Sequence, residues 1–340
     1  MLRRLATWAG VENRVELVEA SQVPQTFQEV SIRSGYRKPR CSPLTCLVSA
    51  FVPLNNETLN FWTHFLPFWY FAWTLKDFWS DEAFRTDPYH WPFLGYMFTV
   101  AGWPIASCMA HLFSIMSEKA RHFCFFIDYL TLSWYAFGVS VAYHAYSFER
   151  QFFDAWYSDL FPYATAVATV LCTTFSCYSR FISKQRFCLR KIIRSASFAL
   201  PYLLISYPLL HRVYVCQFHR TTCVQSAISG HIRQFLSTGI GFALYNLHIP
   251  ERLSPGTFDF VGHSHQLFHV CGVASSYFQL WALVDDLKAR RHFFETYAHP
   301  AMGRFGCIDV CMVSGVLLVN CVIVAHFTYL LWKLPKAKWS

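Results

Sequence analysis

The sequence predicts an all-α integral membrane protein, a seven-transmembrane-helix bundle with an eighth, C-terminal helix and a cytoplasmic N-terminus. Hydrophobic residues make up 54% of the chain and charged residues 14%, whereas a soluble domain carries about 25% charged residues. The chain contains 34 Phe, 18 Tyr and 12 Trp, and aromatic side chains are enriched where helices cross membrane interfaces. Eight stretches of 17 or more residues contain no Asp, Glu, Lys or Arg.

The eight stretches are each close to the roughly 17–25 residues that a membrane-spanning helix needs. The fifth is the weakest, because Pro201 and Pro208 are expected to kink it. No long soluble domain fits between them, so the prediction is a single membrane domain. In chain order the stretches are Thr58–Leu75, Pro88–Ser117, Tyr129–Phe148, Leu160–Ser179, Ser195–His211, Gln234–Pro250, Phe260–Val284 and Val310–Trp332.

The predicted division of the chain has three parts. Residues 1–50 form a cytoplasmic N-terminal segment, residues 51–305 the membrane domain, and residues 306–340 the C-terminal helix with a short basic tail. No secretory signal peptide is expected, because the first apolar run is too short. Residues 2–11 fit either a short interfacial helix or a loosely ordered tail.

The distribution of basic residues predicts the orientation. With a cytoplasmic N-terminus, 19 of the 29 Lys and Arg residues fall on the cytoplasmic side, as the positive-inside rule favours. The loop after the seventh predicted helix is basic and argues the other way. Cys216 and Cys223 flank a predicted external loop, where a disulfide can form.

The most informative polar residues are His265 and His269, which lie inside the charge-free stretch Phe260–Val284. Their spacing of four residues places both imidazoles on one face of a helix. Unpaired polar groups inside a membrane are costly. The sequence therefore predicts a metal ion, zinc in particular, with further ligands from other helices.

Two more ionisable residues are predicted at the same membrane side. The end of the second predicted helix, the start of the third and the start of the seventh lie on the same side of the membrane. This is because an even number of membrane crossings separates them. His111 lies near the first of these ends and Asp128 near the second. The prediction is a zinc site with His111, His265 and His269 as ligands.

The surrounding residues suggest chemistry at this site. Asp128 is expected either as a fourth ligand or as the residue that hydrogen-bonds the bound water, where it can act as a general base. Ser107 precedes His111 by four residues and is expected beside it. A single buried histidine is more often structural than a ligand, and the pattern leaves open whether the zinc is structural or catalytic.

Other polar residues carry weaker expectations. Asn60 and His64 are spaced to make helix-packing hydrogen bonds. Glu57 is expected to cap the first helix or to pair with Arg37 or Arg252, and His263 is expected at the membrane interface. No nucleic-acid module is present in the sequence. A channel or transporter is disfavoured, because the inward polar residues cluster at one depth.

The longer motifs resemble the progestin and adipoQ receptor family, and within it the gamma or delta type of membrane progestin receptor. The resemblance covers nearly everything from Val23 onward. The motifs that carry it are Ser34-Gly35-Tyr36-Arg37 followed by Pro39, Asn56-Glu57-Thr58-Leu59-Asn60 with Trp62-Thr63-His64, Ser107 with His111, Asp128-Tyr129, Ser176 to Phe181, and His248-Ile249-Pro250-Glu251-Arg252-Leu253 running through to His269.

The resemblance implies both a structure and alternative functions. The adiponectin-receptor branch holds zinc near the cytoplasmic side, at positions matching His111, His265 and His269, with Asp128 and Ser107 beside the bound water. The progestin-receptor branch has an extra C-terminal helix and is associated with progesterone-type steroids at the cell surface. Rapid non-genomic signalling is implied, including oocyte maturation. The wider superfamily contains lipid-amide hydrolases, so ceramidase-like chemistry is the alternative.

The expected partners follow from the same resemblance. They are a progesterone-type steroid or another lipid, membrane lipid, and a G protein. The expected location is a multi-pass position in the plasma membrane.

Overall fold

The computed structural model of the protein describes residues 15–149, 152, 155–182, 186–218, 223–297 and 307–335. This part of the chain folds into helices and one short two-stranded sheet. The helices are α1 (Pro43–Ser49), α2 (Thr58–Ser80), α3 (Glu82–Thr86), α4 (Trp91–Phe113), α5 (Glu118–Ala142), α6 (Phe161–Ser179), α7 (Phe187–Phe218), α8 (Gln225–Leu247), α9 (Ser264–Tyr297) and α10 (Cys307–Lys333).

Eight of these helices have 19 or more residues and follow the eight predicted stretches in order. Five are long and apolar enough to cross a membrane; α2, α6 and α8 are long enough but less apolar. The prediction of an all-α membrane protein is therefore confirmed for the described residues. The five spans are Pro88–Phe113, Glu118–Ser147, Cys188–Phe218, Ser264–His292 and Asp309–Lys333.

Three helices begin well before the charge-free stretches that predicted them. α5 starts at Glu118 instead of Tyr129, α7 at Phe187 instead of Ser195, and α8 at Gln225 instead of Gln234. A charge-free stretch marks only the apolar part of a helix, whereas backbone hydrogen bonding continues into polar flanking residues. Asp128 consequently lies nearly three turns inside α5, deeper along the helix than the sequence predicted.

α7 continues as one helix through Pro201 and Pro208. A proline removes one backbone hydrogen bond, and in a membrane helix neighbouring groups can satisfy the carbonyl that is left over. The disulfide expected between Cys216 and Cys223 is formed, and it joins the end of α7 to the segment before α8.

The described part of the N-terminal segment contains a short two-stranded sheet and the helix α1. Strand β1 (Leu17–Val18) pairs antiparallel with β2 (Tyr36–Arg37), with Leu17 opposite Arg37. Ser42 caps α1 by accepting a hydrogen bond from the backbone of Thr45 at 3.1 Å. The predicted interfacial helix or tail at residues 2–11 lies outside the described residues.

The chain divides into two compact units. Unit 1 comprises Met1–Phe68, Pro104–Asp128 and Leu236–Ala274, and unit 2 comprises Trp69–Trp103, Tyr129–Phe235 and Ser275–Ser340. The core of unit 1 includes N-terminal residues packed with residues of α2 and α4. Its buried members are Val23, Phe27, Ile32, Tyr36, Cys46, Ala50, Phe61, Cys108, Leu112 and Ile115.

Candidate metal centre and a second polar cluster

The first two turns of α9 carry His265 and His269, and a side chain caps the start of this helix. The Glu251 carboxylate accepts hydrogen bonds from the backbone N–H of Ser264, at 2.7 Å, and from the Ser264 hydroxyl. Glu251 is buried. A carboxylate at this position satisfies N–H groups that the helix itself leaves free and interacts favourably with the helix dipole.

His111 lies in the last turn of α4, and Arg37 holds that turn in place. The Arg37 guanidinium donates to the carbonyl oxygens of His111, at 2.6 Å, and Leu112, at 2.9 Å. It also donates to Ser49 Oγ at 2.9 Å. These bonds satisfy carbonyls that the helix end leaves unpaired. The N-terminal segment thus positions the helix end that carries His111.

The three predicted histidines converge in unit 1. One ring nitrogen from each of His111, His265 and His269 lies within 4.8 Å of the others. The Nε2 atoms of His265 and His111 are 3.1 Å apart. His111 and His269 are buried, and His265 is partly buried.

In two of these rings the Nδ1 atom, called the outer nitrogen below, has a hydrogen-bonding partner that orients the ring. Glu57 Oε2 lies 2.7 Å from His111 Nδ1, and Thr63 Oγ1 lies 3.2 Å from His269 Nδ1. Asn60 in turn donates to Glu57 at 2.7 Å. Metal-bound histidines typically have such outer partners.

The donor set fits zinc. Nitrogen ligands about 2.0–2.1 Å from a tetrahedral zinc ion are roughly 3.4 Å apart. The Nε2 atoms of His111 and His265 are 3.1 Å apart, and the ligand atoms of the three histidines lie within 4.8 Å of one another. The residues present can therefore hold the ion with nitrogen ligands alone.

Glu57 was assigned a different role by sequence reasoning, which predicted a helix cap or a pair with Arg37 or Arg252. The structure places its carboxylate 2.7 Å from His111 Nδ1, with the predicted partner Arg37 near enough to act on it electrostatically. Burial alone would raise the pKa of the Glu57 carboxyl, but His111 and Arg37 outweigh burial and hold this pKa well below its ordinary value. The only indication of this role in the sequence is that Glu57 lies directly before a predicted membrane helix.

Two further histidines surround the centre. His64 is buried and stacks on His269 with ring centroids 3.7 Å apart, which agrees with its predicted packing role. His263 was expected at the membrane interface. It is buried within the protein, and its Nε2 lies 3.2 Å from the backbone oxygen of Asn56.

Asp128 and Ser107 are both buried in unit 1, on α5 and α4. Asp128 lies close enough to Cys108, the neighbour of Ser107, to act on it electrostatically. Among the described residues, the group whose ligand atoms lie within 4.8 Å of one another contains the three histidines and no carboxylate.

Unit 2 contains a second buried cluster, which sequence reasoning missed. Asp286 on α9 accepts two hydrogen bonds from Arg212, at 2.6 and 2.7 Å, one from Ser147 at 2.7 Å, and one from His231 at 2.9 Å. Asp286 and His231 are fully buried. The charge-free stretches end just before Arg212 and Asp286 and begin just after His231, so none of the three falls inside a predicted membrane stretch.

Comparison with known proteins gives consistent matches along the chain. The model of the family described as haemolysin-III related matches residues 52–280. The membrane progestin receptor delta of Homo sapiens is 42% identical over 324 residues, which cover 94% of this chain and 92% of that protein. The membrane progestin receptor gamma-B of Danio rerio is 43% identical over 329 residues, covering 91% and 93%. The membrane progestin receptor gamma of Homo sapiens is 37% identical over 325 residues, covering 94% and 95%.

Proposed function

Since the chain belongs to the haemolysin-III related family, also called the progestin and adipoQ receptor family, we propose that it is a membrane receptor for a progesterone-type steroid. The observation that carries this proposal is the likeness to membrane progestin receptors of the delta and gamma types over more than nine tenths of the chain. The proposed receptor lies in the plasma membrane and starts rapid non-genomic signalling through a G protein.

In the proposed topology seven helices span the membrane, namely α2, α4, α5, α6, α7, α8 and α9. The helix α10 is the eighth. The N-terminus is cytoplasmic in this topology. The support is the asymmetry of the basic residues, of which 19 of 29 then face the cytoplasm. The proposal includes α2, α6 and α8 as spans because their length suffices even though their composition is less apolar.

Zinc is the proposed resident metal, held by His111, His265 and His269. Neutral imidazoles are good zinc ligands. Glu57 and Thr63 fix the orientation of two of the rings through their outer nitrogens, which raises metal affinity by holding the ligands ready.

The receptor function is tested by saturation binding of labelled progesterone to purified, zinc-loaded protein in nanodiscs. We expect saturable binding that related progestins displace and unrelated sterols do not. The absence of specific binding to well-folded protein would refute the receptor proposal.

A second function is favoured by one observation, the buried Asp128 and Ser107 in the same unit as the three histidines. We propose as the alternative that the protein hydrolyses a lipid amide of the ceramide type. Bound zinc would supply the Lewis acidity that makes water nucleophilic near neutral pH. Asp128 would accept the proton, and Ser107 would help to orient the reacting groups.

The alternative is tested by measuring ceramide turnover by the same nanodisc preparation. Release of fatty acid that depends on zinc would support hydrolysis, whether or not progesterone also binds. Equal release by metal-loaded and metal-stripped protein would exclude it.

A further inference from the structure

A row of polar side chains runs along the part of α9 that belongs to unit 2. Ser276, Gln279 and Asp286 are spaced three and seven residues apart, so they share one helical face. All three are buried. Ser276 and Asp286 are ten residues apart, so the row extends along roughly 15 Å of helix.

Tyrosines of α5 and the adjoining turn connect this row to α8. The hydroxyl of Tyr135 donates to Gln279 Oε1 at 2.6 Å and lies 3.0 Å from Ser276 Oγ. The Tyr143 hydroxyl accepts from Gln279 Nε2 at 2.7 Å and from Gln234 Nε2 at 2.5 Å. The network therefore reaches from α9 to α8 inside unit 2.

Two buried polar atoms on α8 lack a partner among the described residues. They are Nδ1 of His231 and Oε1 of Gln234. The two side chains are 0% and 2% exposed. They lie three residues apart and so project from the same face of the helix. Buried polar groups are nearly always hydrogen-bonded, and an exception calls for an explanation such as a bound molecule.

The positions of the hydrogen atoms on His231 and Gln234 determine which chemical group can bind to these two side chains. A carboxylate only accepts, so His231 Nε2 must donate to Asp286, and Nδ1 of the neutral ring is then an acceptor. Gln234 offers an acceptor as placed, or a donor if its amide is reversed. One hydroxyl group satisfies both residues when the Gln234 amide is reversed, because it then donates to His231 Nδ1 and accepts from Gln234 Nε2, while the Tyr143 hydroxyl donates to Gln234 Oε1. A ketone, which only accepts, does not satisfy His231.

Flat aromatic rings lie beside this polar row. Tyr135 stacks on Trp103 with centroids 5.9 Å apart and lies 6.3 Å from Tyr96. The Tyr143 ring meets His231 edge to face at 5.8 Å. Ligand sites commonly combine apolar and aromatic walls with a few convergent polar groups.

We propose that His231 and Gln234 form a subsite in unit 2 that binds a hydroxyl group of the steroid ligand. The subsite rests on the proposed receptor function and deepens it, because it selects hydroxylated steroids over the corresponding ketones. Asp286 acts through His231 by fixing its tautomer, and it does not contact the ligand.

The test is displacement of labelled progesterone from nanodisc-embedded protein by pairs of steroids that differ only in one group. The pairs are progesterone with its 20-hydroxy derivative and progesterone with its 3-hydroxy derivative. We expect the wild-type protein to bind one hydroxylated member about tenfold more tightly than the ketone. Gln234→Leu should reduce that preference to about twofold or less, because the hydroxyl loses one of its two partners.

Gln279→Leu is the matched control, since Gln279 is the same residue type in the same network but already has partners at both ends. It should change the affinities for both members of a pair alike. Zinc content and unfolding temperature of each variant verify that it is folded.

The outcomes separate the two proposals. A hydroxyl preference that survives in Gln234→Leu, or its absence from the wild-type protein, would mean that His231 and Gln234 hold internal water only, and the subsite would be rejected while the receptor stands. Absence of any steroid binding by folded wild-type protein would reject both proposals.

Discussion

The two units each bury a group of ionisable side chains, and the groups differ in how their hydrogen bonds are satisfied. In unit 2, Arg212, His231 and Ser147 all direct donors at the Asp286 carboxylate. In unit 1, three histidine rings turn nitrogen atoms towards one another, and the nearest carboxylate, Glu57, contacts an outer nitrogen instead.

This difference separates a cluster whose charges are balanced by its own members from a cluster whose geometry fits the proposed zinc ion. A buried carboxylate with a bidentate arginine neutralises its own charge. Three imidazoles have no charge to neutralise when they are neutral, and their lone pairs repel one another unless a proton or a metal ion lies between them. The hydrogen bonds of Asp286 are thus satisfied within unit 2, whereas the three histidines of unit 1 could hold a metal ion.

The largest expected effect is at Asp286. Asp286→Asn keeps the shape of the side chain but leaves Arg212 as an uncompensated buried charge, and this should lower the free energy of unfolding by about 3–5 kcal/mol. Thermal unfolding in detergent measures the loss. Asp285→Asn, at the adjacent and less buried position, is the control and should unfold near the wild-type temperature. Equal stability of the two variants would remove the structural role of the unit 2 cluster.

The next largest effect concerns the histidines of unit 1. His111→Ala and His265→Ala each remove one of three nitrogen ligands, so each should weaken zinc binding by more than about a hundredfold. Metal analysis of purified protein and competition with a chromophoric chelator measure this. His326→Ala, an exposed histidine on α10, should retain wild-type zinc. Unchanged metal content in both site variants would show that these residues do not form a zinc site.

A smaller effect is expected at Glu57. Glu57→Gln retains a hydrogen-bonding group near His111 but removes the charge, and loss of such an outer partner typically lowers metal affinity by about 10–100-fold. The same chelator competition reports it. The exposed Glu82 provides the control in Glu82→Gln. Wild-type affinity in Glu57→Gln would mean that the contact at 2.7 Å serves packing alone.

The smallest effect on metal binding is expected at Asp128. This contrasts with Asp286, where the largest effect, on the free energy of unfolding, is expected. Asp128→Asn should change zinc affinity by no more than about twofold, because the three nitrogen ligands remain. Any ceramide hydrolysis should fall by about 10²-fold or more, as for loss of a general base. Undiminished turnover in this variant would leave Asp128 without a chemical role, and lost zinc would make it a ligand.

The sequence predicted the order of the long helices because each needs a long apolar run, and such runs are visible one helix at a time. It also predicted the pairing of His265 with His269, since a spacing of four residues is a property of one helix. Charge-free runs failed at helix ends. They placed Asp128 too near the start of its helix and left Arg212, His231 and Asp286 outside every helix.

Only the tertiary structure decided which polar groups from different helices meet. Glu57 contacts His111, and Arg37 donates hydrogen bonds to the last turn of α4. Asp286 accepts hydrogen bonds from three other segments. Such contacts depend on how far each helix is shifted along its axis and rotated about it, and small residues and side-chain packing set both. The amino-acid sequence determined the helices and the histidine pair within one of them, whereas packing determined the partners that turn those residues into two different polar centres.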